Sequence, residues 1–212
     1  MQKLIVTSAT YRQASRVTPA LLERDPDNRL LARAPRFRLP GEMVRDQALA
    51  IAGLLSSTIG GPSVKPYQPE GLWEVTNNTY DMGEGEDLYR RSLYTYWKRS
   101  AAPPSLAMFD VAERDNPAVA HHRTNTPLHA LTTLNDVTFV EAARELAAGV
   151  MEDAPAEPES QLVRAFERAT ARKPTPQELQ LLIERYRIVY EMFAKQPEDA
   201  LQLLEVGDSP RN

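Results

Sequence analysis

The chain has 212 residues and a net charge of -4, so it can bury a sizeable core, and bulk electrostatics give no reason to expect nucleic acid as a partner. Its 42% hydrophobic and 25% charged residues are those of a globular protein. It has no cysteine, which excludes disulfides, thiolate metal sites, a Cys nucleophile and covalent haem attachment within this chain, and no apolar run approaches a membrane span.

Leu4, Ile5 and Val6 open a short apolar element, too short for a signal peptide. The opening residues, Met1 to Ser15, read like the interior of a domain, so the chain is expected to be a piece of a longer protein. Thr18-Pro19 is a helix start, with Thr as N-cap and Pro at the first helical position. That helix runs through Leu21 and Leu22 and stops before Asp25-Pro26, because the residue before proline avoids the helical region. Asp27-Asn28 is expected to cap another short element through Leu30 and Leu31, and Pro35 and Pro40 bracket the basic loop Arg36-Phe37-Arg38. From Gly41, the residues Met43, Val44, Gln47, Ala48, Ile51, Leu54 and Leu55 recur at helical spacing until Gly60-Gly61.

Pro62, Pro66 and Pro69 then impose an extended path, which Val64, Tyr67, Leu72 and Trp73 can anchor to a core. Glu74 to Tyr80 and Leu88 to Trp97, joined by a turn at Met82 to Gly85, fit a small β-hairpin. Tyr89, Leu93 and Trp97 also fit helical spacing, and both readings stay open. Thr126-Pro127 starts a helix through Leu128, Leu131 and Leu134, which Asn135-Asp136 interrupts or recaps. Phe139, Val140, Ala143, Leu146, Ala147 and Val150 form the next apolar stripe. Asp153 to Glu159 is a Pro/Glu/Ala linker. Beyond it lie a helix marked by Leu162, Val163 and Phe166, another started by the capping box Thr175-Pro176-Gln177-Glu178, and a last one opened by Pro197. The expected fold is mainly α-helical, with residues 1–152 carrying the Gly/Pro and aromatic/Arg segments and 159–212 forming a C-terminal helical part.

Six phrases together resemble one family: VTSATYRQ (Val6 to Gln13), RDPDNRLLAR (Arg24 to Arg33), PRFRLPGEMVRDQAL (Pro35 to Leu49), GGPSVKPYQPEGLWE (Gly60 to Glu74), YRRSLYTYWKR (Tyr89 to Arg99) and RTNTPLHALTTLND (Arg123 to Asp136). They are similar to the planctomycete-type domain of unknown function 1553. The resemblance implies the C-terminal part of a large exported bacterial protein, hence an extracytoplasmic location. It also implies haem, if any, in a separate cytochrome-c-like domain rather than in this chain, and the other domains of the parent as partners. Family members continue beyond both ends of this chain. The family has no established activity and so supplies no catalytic residues. Its phrase has Gln where this chain has His129.

The residues themselves offer several sites. His121, His122 and His129 are the only histidines, and Asp110, Glu113 and Asp136 could add oxygen ligands. Adjacent histidines diverge and no HExxH occurs, so solvated or capping histidines are the preferred reading and no metal is expected. Arg29, Arg33, Arg36, Arg38 and Arg45 could read an anion, but Asp25, Asp27, Glu42 and Asp46 interleave with them, and internal pairing is preferred. Tyr67, Trp73, Tyr80, Tyr94, Tyr96 and Trp97 could line a carbohydrate cleft or bury the Gly/Pro segment. No GxSxG elbow and no Gly-rich phosphate loop is present. The candidate binding surface is therefore Arg36, Arg38, Tyr67, Trp73, Tyr94 and Trp97, on an accessory or binding module with no assignable activity, carbohydrate being the candidate ligand. The alternative is the catalytic part of an extracytoplasmic carbohydrate-active hydrolase, with Glu70, Glu74 or Asp110 supplying a carboxylate pair near the aromatics.

Overall fold

A computed structural model describes residues 1–73, 79–98, 101–112, 119, 123–154 and 156–211. The chain divides into two compact units, Met1–Arg38 and Leu39–Asn212. Nine α-helices occur among the described residues, and the only strand-like pairings are two isolated bridges. The chain is mainly α-helical, as its periodicity predicts.

In the first unit, α1 (Gln2–Thr7) and α2 (Pro19–Arg24) are short, and the Thr18 hydroxyl accepts from Leu21 N at 3.3 Å as the N-cap of α2. The element expected through Leu30 and Leu31 is instead a loop latched by polar side chains. The Asp25 carboxylate accepts from Arg29 N at 2.8 Å and Leu30 N at 2.7 Å, and Arg33 donates to the carbonyls of Asp25 and Pro26. Asn28 and Leu31 both have a φ of 52°, a left-handed conformation that ends any helix there. Asp25 and Arg33 are both buried and hydrogen-bond to backbone groups; the Leu30 N–H above all, with the Arg29 N–H and the Arg33 charge, holds the Asp25 pKa below its ordinary value.

In the second unit, α3 (Gly41–Ala52) packs along α6 (Val137–Asp153) as the main helix pair. At the start of α3, Gly41 lies tight against a later stretch of chain: a Cβ there would lie 2.6 Å from Val111 and 2.7 Å from Phe109. The helix stops at Gly53, not at Gly60-Gly61. Gly53 takes a φ of 80°, and Leu54 N and Leu55 N both return to Leu49 O, the left-handed glycine cap. Leu54 and Leu55 thereby leave the helix and pack on the cluster of Leu49, Leu88 and Tyr89.

Val64, Pro66 and Trp73 of the Gly/Pro segment are buried. The described residues of the expected hairpin do not form one. Residues 79–98 hold two 3-10 turns, Gly85–Tyr89 and Ser92–Tyr94, and Thr95 forms a parallel bridge to Val64 instead. Val64 N donates to Tyr94 O at 2.8 Å and Tyr96 N to Val64 O at 2.7 Å. Pro62 and Pro66 on either side have no N–H with which to extend that ladder. Residues 74–78, the rest of the expected first arm, lie outside the described residues.

After the single turn α4 (Pro104–Ala107), α5 (Pro127–Asn135) starts at the capping box of Thr126 and His129, and Asp136 recaps the chain into α6 by accepting from Thr138 N at 3.0 Å. The buried face of α6 is Thr138, Phe139, Glu141, Ala142 and Val150, rotated from the expected stripe so that Ala143 and Ala147 are exposed. The helices α7 (Pro158–Thr170), α8 (Pro176–Lys195) and α9 (Pro197–Leu204) form an outer layer without a fully buried residue. The Thr175–Glu178 capping box starts α8 where its sequence pattern places it.

Candidate functional site

The Gly/Pro segment is held from behind by charge and lined in front by rings. Arg45 is only 4% exposed, and its guanidinium donates to Leu88 O at 2.7 Å, Arg90 O at 2.9 Å and the Ser92 hydroxyl at 3.4 Å. Burial pulls its pKa below the usual arginine range, opposed by the nearby Asp46 and Asp136 carboxylates. Asp46 accepts from both the backbone N–H and the hydroxyl of Ser92 at 2.7 Å. Arg90 reaches the other way, donating to the carbonyls of Pro62, Gly60 and Thr58, with its guanidinium 4.0 Å from the centre of the Tyr94 ring. The Arg90 fork thus satisfies carbonyls of the Gly/Pro segment, and the Arg45 fork those of the 3-10 turn that follows it.

Trp73 centres the aromatic cluster, 5.0 Å from the Tyr80 ring and 5.7 Å from the Tyr96 ring, and is 7% exposed. Its indole N–H donates to Gln68 Oε1 at 3.0 Å, which turns Gln68 Nε2 the other way; that nitrogen is buried without a partner among the described residues. Lys98 Nζ lies 4.5 Å from the Trp73 ring centre, and Lys65 Nζ lies within 5.9 Å of the Trp73, Tyr80 and Tyr96 ring centres. The Tyr80 hydroxyl donates to Pro66 O at 2.5 Å. In front of this cluster opens a cleft of about 660 Å³, whose walls include Tyr67, Leu72, Tyr80, Met82 and Val137. Burial raises the Tyr67 pKa to about 12, and raises that of Tyr80 as well.

Behind Tyr67 lies a buried carboxylate. Glu141 is fully buried, and its Oε1 accepts from the Tyr89 hydroxyl at 2.8 Å, Asp208 N at 2.8 Å and Ser209 N at 2.7 Å. Asp208 N is shared with the Tyr67 hydroxyl, also at 2.8 Å. A second hollow runs along α8 past Leu179, Ile183 and Ile188, but all its described lining residues belong to that single helix.

Of the residues singled out in the sequence, Tyr67 and Trp73 share this cleft. Tyr94 belongs elsewhere: it stacks under Arg90, and its hydroxyl accepts from Gly60 N at 2.8 Å. Trp97 is half-buried in the extended segment after Thr95. Arg36 and Arg38 belong to the first unit, Arg36 exposed and Arg38 half-buried. Glu70 lines the Trp73 cleft, whereas Asp110 lines a small hollow with Glu42 and Arg123, where it accepts from Thr124 N and the Thr124 hydroxyl. Those two carboxylates therefore do not face each other across one cleft, and Glu74 lies outside the described residues. So do Glu113, His121 and His122. His129 is buried and stacks on Phe109 at 5.0 Å, and its Nδ1 accepts from Thr126 N, which makes it part of the α5 cap. No group of three or more metal-ligating side chains occurs among the described residues, and none of their helices is long and apolar enough to cross a membrane. Sequence reasoning missed Glu141, Gln68 and Met82. A single carboxylate inside an amphipathic helix carries no signal of burial until the strands of chain that cover it are known.

The model of the family PSD1, described as Protein of unknown function (DUF1553), matches residues 1–186. The chain belongs to that family. No curated protein and no solved structure matches it. The DUF1553 match contains every residue of the cleft and Glu141, and ends within α8; the segment that covers Glu141 follows it.

Proposed function

We propose that this DUF1553 chain is a binding module of a larger exported bacterial protein, and that it takes a carbohydrate ligand in the cleft beside Trp73. The observation that carries the reading is the cleft itself: about 660 Å³, walled by Tyr67, Leu72, Tyr80 and Met82, with Glu70 as the one carboxylate among its described lining residues. That size and a largely apolar, aromatic wall suit a small hydroxylated ligand, whose C–H faces lie against rings while its hydroxyls meet a few polar groups. Binding is favoured over hydrolysis because glycoside cleavage needs two carboxyl groups about 5–9 Å apart, and among the described residues Glu70 has no second carboxylate in its cleft, Asp110 lining a different hollow. The family resemblance supports export of the parent and, if the parent has haem, a separate domain for it, since this chain has no cysteine for covalent haem attachment.

The test is a nuclear magnetic resonance titration with soluble oligosaccharides of glucose, xylose and mannose. The expected result is that at least one shifts the Met82 methyl and Trp73 indole signals, and that Met82→Ala weakens its binding about fivefold, the loss of one apolar contact. Unmoved cleft signals with all three series would reject the reading. For the parent, recovery of the full-length protein outside the cytoplasm is expected, and a cytoplasmic protein would refute export.

A further inference from the structure

We infer that residues 205–209 form a strap that holds the back wall of the cleft, so that docking of the strap and occupancy of the cleft are coupled through Tyr67. The inference rests on the cleft being the ligand site. The strap lies directly on the buried carboxylate of α6: Gly207 takes a φ of 95°, and a Cβ there would stand 2.3 Å from Glu141 Cδ. The next two N–H groups, of Asp208 and Ser209, both donate to Glu141 Oε1. Arg144, one turn further along α6, grips the strap from the other side, donating to Leu204 O at 3.1 Å and Ser209 O at 2.8 Å. Asp208 N also donates to the Tyr67 hydroxyl, and the Tyr67 ring is a wall of the cleft.

The attachment is polar rather than apolar. Between Glu205 and Ser209 only Val206 is a large hydrophobic residue, and it is half-buried. A segment held by hydrogen bonds, with little apolar burial, opens at lower free energy than the core beneath it. Opening would remove two of the three hydrogen-bond donors from Glu141 Oε1, leaving the Tyr89 hydroxyl and the Arg144 guanidinium at 3.8 Å, while Oε2 already has no partner among the described residues. A buried carboxylate so deprived must be hydrated, so the strap has two discrete states, docked and released, rather than a continuum. Tyr67 senses which state holds, because its hydroxyl keeps or loses the Asp208 donor. A ligand that presses the Tyr67 ring into its docked position therefore favours the docked strap, and by thermodynamic reciprocity the docked strap favours the ligand.

Two variants of the full chain test this without any ligand. Gly207→Ala cannot seat the strap; the Tyr67 ring signals are expected to move towards those of an exposed tyrosine, while the Val150 methyl signals stay in place. Tyr67→Phe keeps the ring and removes the hydroxyl; the Asp208 and Ser209 amides are expected to exchange with solvent about fivefold faster or more, the lower end of ordinary coupling between sites. An unmoved Tyr67 ring in the first variant, or unchanged exchange of both amides in the second, overturns the coupling. In the wild-type chain, whichever oligosaccharide shifts the Met82 signal is expected to slow exchange at Asp208 and Ser209. If no oligosaccharide binds, the cleft reading fails on its own, while the two variants still report whether strap and wall move together.

Discussion

The buried charges of this chain act on the backbone. Arg33, Arg45, Arg90 and Glu141 are each under a tenth exposed, and their main partners are carbonyls or N–H groups of loops rather than opposite charges. For Arg90 the reason is composition: a segment with prolines at 62, 66 and 69 cannot pair its carbonyls in a sheet, and an unpaired buried carbonyl is costly. A guanidinium supplies several donors in a rigid fork and so satisfies two or three carbonyls at once. Arg45→Lys tests this, because a lysine keeps the charge but not the fork. It is expected to lower stability by about 2–3 kcal/mol, the scale of a lost hydrogen bond to a charged group, read as a shifted midpoint in chemical denaturation. A change within error would mean that charge alone, and not the planar fork, holds Leu88 O and Arg90 O.

The helices begin where their sequences say and end where their surroundings allow. Four of the six longer helices, α5, α7, α8 and α9, have proline at the first helical turn, and Thr126, Asp136 and Thr175 cap α5, α6 and α8. These are interactions across two or three residues, so a reader of the sequence finds them. Ends are harder. The apolar spacing of α3 continues through Leu54 and Leu55, yet Gly53 stops it in the left-handed conformation, and those leucines pack back on Leu49 and Leu88. At the end of α7 a non-glycine residue fills the left-handed cap: Ala171 has a φ of 57°, is exposed, and donates its N–H to Glu167 O. Ala171→Gly relieves that conformation at the cost of a freer unfolded chain, and the net gain is expected to be about 0.5–1 kcal/mol. A thermal midpoint that stays level or falls would show that the cap carries no strain.

Across the whole molecule the polar core sets how the protein responds to alkali. Burial raises Tyr67 from its ordinary value of 10.0 to about 12, and pushes Tyr80 and Tyr89 up as well, with Tyr67 and Glu141 adding to the effect on Tyr89. A tyrosine that holds its proton more tightly folded than unfolded contributes stability that is present below the unfolded pKa and is lost as pH rises beyond it. Stability is therefore expected to fall from about pH 10 upwards, seen as a lower denaturation midpoint near pH 11 than near pH 9. Ultraviolet difference absorbance over the same range is expected to show these three tyrosines ionising after the exposed ones, such as Tyr11 and Tyr190. Simultaneous ionisation of all the tyrosines would mean that the hydroxyls reach solvent.

The sequence by itself determined the helical class, most helix starts and the family, because capping and periodicity act between residues a few positions apart and because the family phrases are long. It also placed Tyr67 and Trp73 within one short segment, so their meeting in one cleft was legible. Tertiary structure alone decided that Tyr94, from the same aromatic run, turns away to Arg90 and Gly60, and that Asp110 lies in a different hollow from Glu70. It alone decided the fate of Glu141, whose partners are Tyr89, 52 residues before it, and Asp208, 67 residues after it. Burial of a charge depends on which distant segments arrive to satisfy it, and that information is spread along the chain rather than held in any local pattern.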